Sequence, residues 1–209
     1  SSEGFIPVVT TYATFITKRP FEQISHYCGY MGHKIIILGS GAGLAQTFSG
    51  NTHFSNEDLA LMRTIPNMTV LSPCDALEAV KCFQFALESP GSVYIRLSGA
   101  LGCPIVHTED FELAKEKINV FTEGDDVLVV ANGFVVDNCI KASQQLKLQE
   151  IKCEVISFPF IKPFPKLSYE YISKFSKIIT VEEHSVIGGL GSTLAEYLAT
   201  NNINSKLKM

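Results

Sequence analysis

Three groups of residues in this chain have the types and spacing for chemistry. Gly39, Gly41 and Gly43 sit in IIILGSGAGLA (35–45), where an apolar run ends in glycines, as a phosphate-cradling turn begins. His53 lies in GNTHFSNED, and an imidazole exchanges or donates protons near neutral pH. Upstream, YATFITKRP places Tyr12 and Phe15 just before the cations Lys18 and Arg19. By residue type alone, Phe15 reads as a core side chain and His53 equally as a loop histidine bonded to backbone.

The glycines fail the dinucleotide test. That fingerprint is G-x-G-x-x-G opening a helix, with an acidic residue after a second strand about 20 residues on. Here position 44 is Leu, and Asp58 falls at a helix start instead. No G-K-[ST] follows, which also excludes a P-loop. The glycines are left to turn the chain sharply at a strand end. In parallel α/β sheets that is where ligands bind, so the loop is a plausible site wall.

Composition narrows the function classes. The 209 residues are 46% hydrophobic and 18% charged, enough for a large apolar core. A net charge of -4 gives no electrostatic reason to expect nucleic acid or an anionic membrane as partner. No stretch approaches the roughly 20 apolar residues that span a bilayer. Cys28, Cys74, Cys82, Cys103, Cys139 and Cys153 form no C-x-x-C pair and lie mostly in apolar runs. They read as reduced, packed thiols of a cytoplasmic protein. The histidines lack metal-ligand spacing with cysteines or acids along the chain, so no metal ligand is expected.

The elements that must position these residues alternate between strand and helix. Strands are expected at 5–12, 34–40, 68–73 and 92–99, with a helix over 13–31 that Pro20 starts, kinks or breaks. A loop covers 41–55, and Asn56 is placed to cap the next helix. The helix over 74–89 puts Leu77, Val80, Phe83 or Gln84, and Leu87 along one side. Residues 100–124, with Gly, Pro and a short charged helix, read as a linker. A second series follows, with strands at 126–133, 153–160 and 177–184 and helices at 135–149, 168–175 and 188–200. The expected fold class is α/β, two three-layer α/β/α domains with mainly parallel sheets. The domains are placed at 1–100 and 125–209.

Taken in order, YATF (12–15), EQI (22–24), GNTH (50–53), ED (57–58), RTIPNM (63–68) and PCDALE (73–78) form a recognisable set, continued by ITVEEHSVIGGLGS (179–192). Each motif alone is weak. Together they resemble the pyrimidine-binding and C-terminal domains of the transketolase family over almost the whole chain. The resemblance implies thiamine diphosphate and Mg²⁺ as cofactors and transfer of a two-carbon ketol unit between sugars or sugar phosphates. It makes Phe15 the ring against the cofactor's aminopyrimidine, with Tyr12 beside it. His53 becomes the catalytic histidine near the substrate, and Thr52 fixes its loop. Arg63, Pro66, Asp75 and Glu78 fall in structural places, and Glu182 and Glu183 in structural or interface ones. Gly188, Gly189 and Gly191 fall in a packing and dimer region.

The same resemblance marks departures. Ser49 stands where many members have an aspartate that reads substrate hydroxyls. Ser98 and Gly99 stand where many have a phosphate-gripping arginine. Arg96 lies a residue or two away, and Lys18 and Arg19 are alternative anion contacts. The family's catalytic glutamate is expected upstream of Ser1, and Glu3 is not its equivalent. The Gly-Asp-Gly…Asn segment that holds the diphosphate is missing, since GDD at 124–126 has no matching Asn. The last strand of the family is expected beyond Met209. The chain is therefore read as a fragment or a split-enzyme subunit, inactive alone. It would work with a diphosphate-binding domain or subunit, as a homodimer. Deoxyxylulose-phosphate synthase and the β-subunit of a 2-oxoacid dehydrogenase are the nearest alternatives.

Overall fold

The computed structural model describes residues 2–98, 102–167 and 169–209. Two five-stranded sheets organise them. The first holds β1 (Val8–Tyr12), β2 (Ile36–Ala42), β3 (Thr69–Leu71), β4 (Val93–Ser98) and a late arrival, β8 (Phe160–Lys162). The second holds β5 (Asn119–Thr122), β6 (Val127–Ala131), β7 (Cys153–Ser157), β9 (Lys177–Val181) and β10 (Lys206–Lys208). Their orders are β1-β2-β4-β3-β8 and β10-β9-β6-β7-β5. All pairings are parallel except β3 with β8 and β5 with β7. The fold class is the expected one, two mainly parallel sheets with helices.

Valine fills most of β6, isoleucine opens β2, and β4 is buried over four successive residues, as a strand covered on both faces requires. One apolar cluster spans both sheets. It joins Leu59 and Met62 of α3 (Asp58–Thr64) and Tyr94 of β4 to Val130, Ile156 and Phe158, and to Leu190 and Leu194 of α7 (Leu190–Thr200). Arg63 adds polar ties across the same seam, donating to the Gly188 carbonyl at 2.8 Å and to Glu196 at 2.6 Å.

Pro20 interrupts the first helical stretch as its missing N–H demands. α1 (Ala13–Lys18) stops before it and α2 (Phe21–Ile24) restarts after it, running into a π-helical turn at Ser25–Tyr30. β2 continues to Ala42, two residues past the expected strand end, through a register shift between Gly39 and Ala42. The start of α3 differs as well. Its N-cap is Glu57 rather than Asn56.

Three further expectations are corrected. Along α4 (Ala76–Glu88), the buried positions are Glu78, Cys82 and Ala86, while Val80 and Leu87 are exposed. Small side chains let this helix lie close to Leu71, Val93 and Ile95. Glu78 is buried because its carboxylate accepts hydrogen bonds from Cys74 N–H at 2.7 Å and Asn119 at 2.9 Å. Of the residues on the expected side, Phe83 packs on the core while Val80 and Leu87 face solvent. The expected linker supplies an edge strand, β5, and its described part contains no helix. Its chain is pinned by bonds to Asp75 instead. Finally, 206–208, where the sequence reading places no element, form β10 against β9.

Candidate active site

The site grows from the end of β1. Tyr12 ends that strand and caps α1, so Phe15 sits one turn on, and Lys18 and Arg19 close the helix. The second wall is the loop after β2. An antiparallel bridge between Gly43 and Ser55 closes its neck, with N···O distances of 2.6 and 3.0 Å. Gly43 has φ +69°, a left-handed conformation that favours glycine. Any Cβ there would also run into the Glu183 carboxylate, arriving from the end of β9. The pinched neck returns His53 toward α1.

Tyr12, Phe15 and His53 meet edge to face. Their ring centroids are 5.6 Å (Tyr12–Phe15), 5.8 Å (Tyr12–His53) and 5.2 Å (Phe15–His53) apart. These separations suit favourable quadrupole contacts. Tyr12 remains 37% exposed, so the cluster opens to solvent. The His53 ring does not bond to backbone. Its Nδ1 lies 2.9 Å from Thr52 Oγ1. That bond orients the imidazole and leaves Nε2 for another group.

The cations expected to hold an anion are placed differently. The Lys18 ammonium pairs with Glu57 at the surface. The Arg19 guanidinium lies over the Phe15 ring, 4.0 Å from its centroid. Arg96 is wholly buried and does not present its charge to a ligand. Its Nε donates to Asp58 Oδ2 at 3.0 Å, and its Nη2 to the Glu183 carbonyl at 2.7 Å. Tyr94 Oη donates to the same Asp58 oxygen at 2.7 Å. The physical reason is position: Arg96 is an interior residue of a central strand, so its side chain enters the protein. Burial pushes its guanidinium pKa down, but Asp58 and Tyr94 outweigh that and hold it above the ordinary arginine value. For the Tyr94 phenol, burial and then Asp58 act together to raise the pKa. The expected substrate contact at Arg96 is therefore replaced by a support under the loop that carries His53.

Two acids complete that support. Glu182 accepts from Leu190 N–H at 2.7 Å and Gly191 N–H at 2.8 Å, capping α7. Glu183 stands against the Gly43 turn, and its carboxyl pKa is raised by burial, partly offset by the Leu44 N–H and Arg96. The Asp58–Arg96 pair was missed from sequence. A charge inside the apolar strand VYIRLS was the available signal, because buried charges need partners. Spacing along the chain also missed a grouping of Cys74, Glu78 and His107, which the fold brings together.

Residues 1–103 match the family described as "Transketolase, pyrimidine binding domain", and 116–209 match "Transketolase, C-terminal domain". A solved structure titled as a split gene transketolase, inactive beta4 tetramer, superposes with a TM-score of 0.89 at 35% identity. It covers 99% of this chain and 68% of that one. The chain belongs to the transketolase family. Among curated relatives, a 6-deoxy-6-sulfo-D-fructose transketolase subunit from Clostridium sp. (strain MSTE9) is 35% identical, over 95% of this chain and 62% of its own length. A putative transketolase C-terminal section from Methanocaldococcus jannaschii is 34% identical, over 99% of this chain and 65% of its length. This transketolase-family chain thus spans less than two thirds of those relatives. Among the described residues, no helix is long and apolar enough to cross a membrane.

Proposed function

We propose that this chain supplies the pyrimidine-binding and C-terminal portions of a cytoplasmic thiamine-diphosphate transketolase. That enzyme moves a two-carbon ketol unit between sugars or sugar phosphates. The observation that carries the reading is the open cluster of Tyr12, Phe15 and His53 at the strand ends of the first sheet. A flat heterocycle fits there: Phe15 offers a ring face and Tyr12 an edge. Bound thiamine diphosphate would supply the nucleophilic carbon that breaks and makes carbon–carbon bonds beside a carbonyl. His53, held by Thr52, would pass a proton to or from a substrate hydroxyl through Nε2. Arg19 occupies one face of Phe15, so ring stacking uses the other face or displaces the guanidinium, which then reaches an anionic substrate.

The diphosphate and its Mg²⁺ belong to a partner subunit or domain in this reading. Support comes from relatives whose names describe a transketolase subunit and a C-terminal section, and from a similar split gene transketolase described as an inactive beta4 tetramer. Phe5, Val8 and Val9, exposed on and beside β1, offer apolar surface for such a partner and for a homodimer. All six cysteines are free thiols, in keeping with a reducing compartment.

The test is reconstitution with a diphosphate-binding subunit. The chain alone should give no turnover, and the complex should transfer ketol units. Phe15→Ala should weaken cofactor binding about tenfold or more by calorimetry, about 1.4 kcal/mol. Unchanged cofactor affinity in Phe15→Ala, together with unchanged turnover in His53→Ala, would overturn the assignment.

A further inference from the structure

We propose that Cys74, Glu78 and His107 form a binding site for a divalent transition metal, with zinc the best match. Glu78 stands in the first turn of α4, and Cys74 lies just before the N-cap Asp75, its N–H donating to the Glu78 carboxylate at 2.7 Å. His107 arrives on the segment that connects the two sheets. The three side chains bring ligand atoms within 4.8 Å of one another.

Asp75 fixes the histidine ring, and Cys74 Sγ lies 3.8 Å from its Nδ1. Asp75, the α4 N-cap, accepts from the main-chain N–H groups of Val106 at 3.0 Å and His107 at 2.9 Å. Its Oδ2 also lies 3.0 Å from His107 Nδ1. A carboxylate holding Nδ1–H leaves the Nε2 lone pair available, an arrangement typical of histidines that bind zinc. Among the described residues, Nε2 has no hydrogen-bond partner, yet the His107 side chain is only 6% exposed. The nearest charge, Glu78 Oε1, is 3.9 Å away, beyond hydrogen-bond reach. An orphaned ring nitrogen in the interior is costly, and a cation between it and Glu78 would satisfy it.

The donor set decides the ion. One sulfur, one nitrogen and one oxygen suit zinc, whereas Mg²⁺ and Ca²⁺ take oxygen ligands. Zinc bonds of roughly 2.0–2.3 Å require ligand atoms about 3.5 Å apart, so the group must contract by about 1 Å. Rotation of the Cys74 side chain would bring its sulfur closer. Hydrogen bonds from Asn119 and the Cys74 N–H to Glu78 would orient the ligating carboxylate. A metal here would staple the connecting segment to α4.

The full chain, stripped with a chelator and desalted, is titrated with Co²⁺ as a spectroscopic stand-in for zinc. One equivalent should bind and show a thiolate-to-cobalt charge-transfer band, and zinc should displace it. Cys74→Ser should remove the charge-transfer band. Asp75→Asn should weaken binding roughly 10–100-fold. Zinc should raise the thermal midpoint of the wild type but not of His107→Gln, whose substitution lies outside any helix or strand. A wild-type titration with no thiolate band overturns the site, as does a band that survives Cys74→Ser, or an equal zinc shift in His107→Gln.

Discussion

Two groups of charged or aromatic side chains, one at the end of β1 and the loop after β2, the other inside the fold between β4 and α3, differ in how far they are closed. Tyr12, Phe15 and His53 form an open cluster held by ring edges and a single hydroxyl contact. Asp58, Tyr94 and Arg96 form a closed one, buried and bonded throughout. The first leaves Tyr12 partly exposed, and the second is shut away from solvent. The contrast shows why a side chain's charge says little about its task until its depth is known. Lys18, Arg19 and Arg96 carry the same charge, yet one pairs at the surface, one lies on a ring and one is buried against Asp58 and the Glu183 carbonyl.

Breaking the closed cluster should have the largest effect. Arg96→Met strands the Asp58 carboxylate in the interior and should cost about 3–5 kcal/mol in denaturant unfolding. Asp58→Asn combined with Arg96→Met should recover part of that loss, since no unpaired charge is left. His53→Ala should separate the two clusters most cleanly. Turnover of the reconstituted complex should fall about a hundredfold or more, while the unfolding midpoint moves by less than about 0.5 kcal/mol. Gly43→Ala forces a Cβ toward Glu183 at a left-handed φ and should destabilise by about 1–3 kcal/mol.

The pH dependence sharpens the same boundary. Burial raises the Glu183 pKa above its ordinary value of 4.5. Its contribution to stability is therefore fully present below about pH 4.5, the unfolded value. It is lost as pH rises through the higher folded value. Glu183→Gln should abolish that part of the acid-to-neutral stability profile, read as unfolding midpoints across pH. At the other end, Lys18→Ala should change stability by less than about 0.5 kcal/mol, because both partners of its ion pair are well exposed.

Much of this architecture could be read from the chain. Apolar, β-branched runs marked most strands of both sheets, and Pro20 marked the break between α1 and α2. Order along the chain brought YATF and GNTH to one site, which the fold realises as touching rings. What escaped was set by neighbours rather than by sequence spacing. The buried face of α4 follows Glu78, Cys82 and Ala86 because a hydrogen-bonded acid outranked Val80 and Leu87. Arg96 looked like an anion contact because nothing in its own segment reveals Asp58. Asn119–Thr122 looked like linker because its partner, β7, lies far along the chain. Long-range pairing leaves little local trace in composition.

The antiparallel pairing of Val70 and Leu71 in β3 with Lys162 and Phe160 in β8 has a consequence for synthesis. A nascent chain emerging from the ribosome would display the outer edge of β3 long before residues 160–162 arrive to cover it. During that interval, the first half is an unfinished template for any passing strand. Folding of this sheet is thus tied to the schedule of translation. A pause between the two halves would lengthen its exposure to chaperones and to mispairing alike.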